Sequence, residues 1–195
     1  MGKIQQIILM AAMLYVGEAR KIDSIRTDKY ELSYYNDGDD SVSFCEALVA
    51  CSELGSGSRL VKVNEEDTQT QMDWMLEYWS YSRVWIGATD MRSEGVWYWL
   101  DGTSLRYGYT NWGDNQPDTG RTTEQCVASG RHDLDDTDDT WHDFSCDLKF
   151  GYICQRDISS TRSLSTDPVI QLFYSNNPTS FADAQKNAKA KEPRL

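Results

Sequence analysis

Two early stretches of the chain space their apolar side chains as a helix does. In SVSFCEALVACSELGSG, residues 41–57, Phe44, Ala47, Leu48 and Cys51 recur at intervals of three and four, which predicts a helix with one buried stripe. Ser43 and Glu46 have capping-box spacing at its start, and Gly55 supplies its stop. In NEEDTQTQMDWMLEYW, residues 64–79, Asn64 is placed to cap, acidic residues fill the first turn, and Met72, Met75, Leu76 and Trp79 share one face. Between them RLVKV alternates like a short strand. After residue 83 the texture changes to short aromatic runs broken by Gly, Asp and Asn: VWIGATD, GVWYWLDGTSLRYGYTNW, QCVAS, TWHDFSC and FGYIC. Asp101-Gly102 predicts a turn between two of these strands. Helices followed by several short strands predict an α+β domain. Most of the seven tryptophans are expected in its core, because such rings bury a large area.

The two ends of the chain read differently from its middle. Residues 1–19 combine an early Lys3, an apolar run from Ile4 to Val16, and small Gly17 and Ala19 at cleavage spacing, which predicts a secretory signal peptide. That run falls short of the roughly 20 apolar residues a membrane span needs, so membrane insertion is not expected. Residues 157–195 lack tryptophan and cysteine and are rich in Ser, Thr, Asn and Lys, which predicts a flexible tail. Within it VIQLFY reads either as a docking strand or as a segment without function.

Five cysteines in a secreted chain predict two disulfides and one cysteine left over, and spacing alone leaves the pairing open. A zinc site is disfavoured by the lack of a C-x-x-C pair and the presence of only two histidines. The net charge is −12, and because the tail is slightly basic the acidic excess lies in residues 20–156. Such a surface repels phosphate backbones and attracts cations, so nucleic acid is excluded as an expected partner.

Several landmarks follow one another in order: the Phe44, Ala47, Cys51 helix, VWIGATD, WYWLDG, Trp112 with Gln116-Pro117-Asp118, Glu124 ahead of Cys126, Trp141-His142-Asp143 ahead of Cys146, and Gly151-Tyr152-Ile153-Cys154. In this series residues 30–156 resemble a C-type lectin domain. The resemblance implies a C-type lectin-like fold with two helices, short antiparallel sheets and a long calcium-binding loop region. It implies Ca2+ as cofactor, held by Gln116, Asp118, Glu124 and Asp143, with two adjacent sugar hydroxyls completing the oxygen shell that calcium prefers. The same residues with His142 form the implied carbohydrate-binding set. A cis bond before Pro117 and a second, depleted calcium site at Asp90 and Glu94 are implied in the same way. Gln-Pro-Asp accompanies galactose and N-acetylgalactosamine types in the family, which implies glycans with terminal galactose-type sugars as partners. Implied disulfides join Cys51 to Cys154 and Cys126 to Cys146. Cys45 then remains, either as a buried free thiol or as the bond of a disulfide-linked dimer.

The chain departs from the family pattern in two places. His142 stands where the family has Asn, and imidazole suits hard calcium poorly. It reads either as a ring turned away from the ion or as a donor to a sugar hydroxyl. The TGRTT after Asp118 offers no aromatic ring to stack on a sugar. Separately, RHDLDDTDD, residues 131–139, crowds Asp133, Asp135, Asp136, Asp138 and Asp139 together, as a solvated tip or as a cation-attracting segment. No nucleophile motif accompanies His132 or His142, so catalysis is not expected. The leading expectation is a secreted, calcium-dependent lectin of galactose type, with innate recognition as a common role of secreted relatives. The rival is a lectin-like domain that binds protein, mineral or ice.

Overall fold

The computed structural model describes residues 21–36, 41–78, 83–118, 123–130 and 139–158. The expected signal peptide, Trp79, most of TGRTT, nearly all of the Asp-rich run and the tail beyond residue 158 lie outside the described residues.

The first helix, α1 (Phe44–Glu53), begins as its sequence dictates: the Glu46 amide donates to Ser43 Oγ at 3.4 Å while the Ser43 amide donates to Glu46 Oε2 at 2.8 Å. Phe44, Cys45, Ala47, Leu48 and Cys51 are its buried face. The second helix, α2 (Glu66–Tyr78), starts later than Asn64 predicts. The first carbonyl engaged in its hydrogen bonding is that of Glu65, which accepts from the Thr68 and Gln69 amides, so Asn64 lies one position too early to cap. Met72, Met75 and Leu76 form its buried side, whereas Trp74 is 67% exposed.

Among the described residues eight strands form one connected sheet. They are β1 (Lys21–Arg26), β2 (Tyr30–Tyr35), β3 (Ser58–Leu60), β4 (Val84–Thr89), β5 (Tyr98–Trp99), β6 (Cys126–Ser129), β7 (Trp141–Phe144) and β8 (Gly151–Asp157). The main order is β1-β2-β8-β4-β6-β7, with β3 on β8 and β5 on β4. The strands pair antiparallel, as expected, with one exception: β4 and β8 pair in parallel. A parallel pair needs a long crossover, and the segment between β4 and β8, which carries the loop region, supplies it. β1 and β2 are a hairpin that precedes every element the sequence pattern predicts, although Tyr30, Leu32 and Tyr34 alternate with Glu31 and Ser33 as a strand should.

Period-two alternation divides the sheet between two cores. Val84, Ile86 and Ala88 of β4, Val127 of β6 and Ile153 of β8 pack with Met72, Met75 and Leu76 of α2. Trp85, Cys126, Ala128, Tyr152 and Cys154, the alternate residues, pack with Phe44, Leu48 and Cys51 of α1. A helix therefore covers each face. Gly87 lies where the chain runs too close for a side chain: a Cβ there would stand 3.0 Å from the Leu60 carbonyl oxygen and 3.1 Å from that of Val61. Asp101-Gly102 forms the expected turn, with Gly102 at φ 83°, but the return strand shrinks to a single bridge between Tyr98 and Ser104.

Cys51–Cys154 ties α1 to β8, and Cys126–Cys146 ties β6 to the segment after β7. Cys45 is a free thiol, 8% exposed, and burial, with the charges of Asp147 and Glu46, pushes its pKa up to about 12. Of the two readings of Cys45 this burial favours the buried free thiol, which forms little of the thiolate that disulfide exchange requires. A non-reducing gel is expected to show no Cys45-dependent dimer, and iodoacetamide is expected to label Cys45 only after denaturant is added. Rapid labelling of the folded protein would contradict the placement.

Candidate metal centre

β6 and β7 are antiparallel neighbours, with Val127 opposite Asp143 and Cys126 opposite Phe144. Asp143 is thereby carried inward on β7, 5% exposed, while Glu124 lies two residues ahead of β6 and is half-buried. A third segment, residues 111–118, is laced along β7. The Trp141 amide donates to the Asn111 carbonyl at 2.7 Å, the Gly113 amide to the Trp141 carbonyl at 3.0 Å, and Asn111 Nδ2 to the Asp139 carbonyl at 3.0 Å. The segment then turns, with the Gln116 amide donating to the Gly113 carbonyl at 3.0 Å, Asn115 at φ 60°, and the Gln116–Pro117 bond cis, as the resemblance implied. The Asp118 amide finally donates to Asp143 Oδ1 at 3.1 Å.

These contacts converge on one place. Asp118, Glu124 and Asp143 each offer a carboxylate oxygen, and the three oxygens lie within 4.8 Å of one another. In the same loop Gln116 Oε1 and Asp118 Oδ1 are buried without a hydrogen-bond partner. Buried polar atoms are nearly always paired, and like charges this close repel unless a cation lies among them. An all-oxygen donor set of carboxylates and an amide carbonyl fits a hard divalent cation such as calcium and fits zinc poorly.

The Lectin C-type domain family model matches residues 40–156. The chain belongs to the C-type lectin domain family. It is 32% identical over 123 residues to the alpha-N-acetylgalactosamine-specific lectin of Patiria pectinifera, covering 60% of this chain and 66% of that one. Among solved structures it resembles the mouse scavenger receptor C-type lectin carbohydrate-recognition domain at 29% identity and TM-score 0.53, over 71% of this chain and 95% of that one. It also shares its fold with the herring type II antifreeze protein, at 21% identity and TM-score 0.57, over 71% of this chain and 97% of that one. The chain spans 61%, 45% and 50% of the lengths of three other curated relatives. No helix among the described residues is long and apolar enough to cross a membrane.

Within this lectin domain the remaining expected site residues fall outside the carboxylate trio. Asp90, 1% exposed, follows β4; its Oδ2 accepts from the Gly95 amide at 2.8 Å, while Oδ1 has no partner. Glu94 is exposed beside it. The Gln125 carbonyl accepts from the Asp90 amide and from Thr89 Oγ1. His142 follows the alternation of β7, so its ring leaves the strand on the face opposite to Asp143. Its Nε2 lies 3.2 Å from Thr140 Oγ1, and its ring stacks on Phe144. Trp112, partly buried, packs against the core on Trp97 and Trp141 at centroid distances of 5.1 and 5.8 Å. Pattern reading missed Gln69, a buried polar residue on α2 whose Oε1 accepts from Trp141 Nε1 at 2.7 Å and so anchors β7. Nothing in a helical repeat distinguishes such a glutamine from a solvated one.

Burial raises the Asp90 pKa from its ordinary 3.8 to about 6; the Gly95 amide opposes this, and the charges of Glu94 and Asp143 add to it. Burial likewise raises Asp143, opposed by the Asp118 amide and helped by the Asp118 charge. A carboxyl raised in the fold binds its proton more tightly there than in the unfolded chain. Its contribution is thus full below pH 3.8 and lost as pH rises through about 6. Metal-free protein is therefore expected to gain thermal stability from Asp90→Asn at pH 7 and to gain less as the pH falls below 5. Calorimetry in chelator at both pH values checks this, and an equal gain at each would contradict it.

Proposed function

We propose that this C-type lectin domain binds calcium through Gln116, Asp118, Glu124 and Asp143 and uses that site to hold a galactose-type sugar. The observation that carries the reading is the convergence of three carboxylates within 4.8 Å, with Gln116 Oε1 and Asp118 Oδ1 of the Gln116-Pro117-Asp118 loop buried and unpartnered. A bound calcium ion would supply open coordination positions for two vicinal sugar hydroxyls. The side chains would divide the hydrogen bonds around those hydroxyls. The Gln116 amide can donate to a hydroxyl oxygen, whereas the carboxylates of Asp118, Glu124 and Asp143 only accept, so the order of amide and acid along the loop favours one hydroxyl arrangement. That order, together with the alpha-N-acetylgalactosamine specificity in the name of the Patiria relative, supports a galactose or N-acetylgalactosamine preference. Asp90 and Glu94 would form the weaker second calcium site. Secretion, with a role in innate recognition, extends the same reading, and the domain would bind its sugar without catalysing a reaction.

A glycan array run in calcium and again in EDTA tests this. Retention of galactose-terminated glycans in calcium alone is expected. Calcium binding with no glycan retained, accompanied by adsorption to ice or calcium carbonate, would replace the sugar reading with the rival one.

A further inference from the structure

The residue that departs from the family pattern, His142, is in contact with a residue that no pattern singled out. A Cβ built on Gly113 would lie 2.7 Å from His142 Nε2 and 2.8 Å from Thr140 Oγ1, closer than real Cβ contacts come. Gly113 is not among the glycines with positive φ, so its backbone is one that alanine adopts without strain. What the position requires is space, and the imidazole fills it. The ring is held there from two sides: Thr140 Oγ1 bonds its Nε2 at 3.2 Å, and its face lies 6.2 Å from the Phe144 ring at an interplanar angle of 18°. The Arg83 guanidinium stands 4.4 Å from the Phe144 centroid, which limits how far that stack can shift.

We propose that Gly113 and His142 are a matched pair that positions the ligand loop: the imidazole packs where a side chain at 113 would be and so fixes the distance between the Gln116–Asp118 loop and β7. The mechanical link is short. Gly113 donates to the Trp141 carbonyl on β7 and accepts from the Gln116 amide, each at 3.0 Å, and Asp118 in turn donates to Asp143 at 3.1 Å. Pushing residue 113 off the ring moves the loop that carries two ligands away from the strand that carries a third. On this account the His142 substitution keeps the centre in place through packing and adds no donor atom. The inference rests on the calcium reading above, but the packing pair can be read without metal.

The test is a mutant cycle on the full chain: wild type, Gly113→Ala, Thr140→Ala/His142→Ala, and the triple variant. Calcium affinity is measured by competition with terbium, and thermal midpoints are measured in EDTA. Groups that orient metal ligands cost about ten- to a hundredfold in affinity when lost. Gly113→Ala is expected to weaken calcium by that much in the wild-type background. In the Thr140→Ala/His142→Ala background, where the opposing atoms are gone, the same change is expected to cost less than about twofold, because the two sites are coupled. Equal losses in both backgrounds, or no loss in the wild-type background, would overturn the pair. If Gly113→Ala is not secreted, secretion of the triple variant supports the pair and its failure counts against it. A wild-type chain that binds no terbium refutes the calcium reading instead. The EDTA midpoints then decide the pair, which stands only if alanine at 113 is tolerated better without His142 than with it.

Discussion

Asp143→Asn is expected to abolish calcium-dependent sugar retention while raising the stability of the metal-free protein at neutral pH. The two effects have one cause. Asp143 is 5% exposed and its carboxyl is held above the usual range by burial and by the Asp118 charge, so its ionised form is a liability to the empty fold and an asset only beside a cation. Asparagine keeps an oxygen that can accept from the Asp118 amide, now at 3.1 Å from Asp143 Oδ1, so the loop should stay docked on β7. It removes one of three clustered negative charges. Since loss of a group that merely orients a ligand costs about ten- to a hundredfold, loss of the ligand charge should weaken calcium by more than about a hundredfold. Thermal melts in EDTA and calcium titration by calorimetry read the two halves separately. A variant that binds calcium as wild type does would remove Asp143 from the centre. A lower midpoint in EDTA would show that the carboxylate is needed for packing.

Loss of the Cys51–Cys154 bond should be the most destabilising change outside the site. The bond closes a separation of 103 residues, against 20 for Cys126–Cys146. In the chain-entropy account a loop of that longer size contributes about 4.7 kcal/mol and one of the shorter size about 3 kcal/mol. Domains have only about 5–15 kcal/mol in total, so Cys51→Ala/Cys154→Ala should lower the midpoint on the order of 15 °C. The functional consequences should rank in the opposite order. Cys126 follows Glu124 by two residues and Cys146 follows Asp143 by three, so the shorter bond ties together two segments of the candidate metal centre, while the longer one joins α1 to β8. Folded protein lacking Cys51–Cys154 should keep its calcium affinity, and protein lacking Cys126–Cys146 should lose part of it. Denaturant melts and calcium titrations of the two alanine pairs test both orders. A larger stability loss from the shorter bond would contradict the entropic argument.

Much of the framework was legible because it depends on neighbours along the chain. The capping box of α1 needs only Ser43 and Glu46, and the turn at Asp101-Gly102 needs only two adjacent residues that accept its backbone angles. Alternation identified Val84 to Thr89 as a strand, and the landmark order identified the family that residues 40–156 match. Less visible was β1, a hairpin strand whose partner β2 carries most of the buried side chains. The start of α2 was misplaced because three acidic residues follow Asn64, and local signals do not say which carbonyl closes the first turn.

The sequence by itself determined the donor types available to the candidate centre: an amide and an acid flanking Pro117, acids at Glu124 and Asp143, and four cysteines with one to spare. Residue types and their order suffice for that, because oxygen donors are a property of side chains. The tertiary structure decided which of these donors meet. It brought Asp118, Glu124 and Asp143 within 4.8 Å from three separate segments, buried the Cys45 thiol, and turned His142 away from the carboxylates onto Gly113. Those outcomes depend on strand register and on the space between packed atoms, and both are set by residues far apart in the chain.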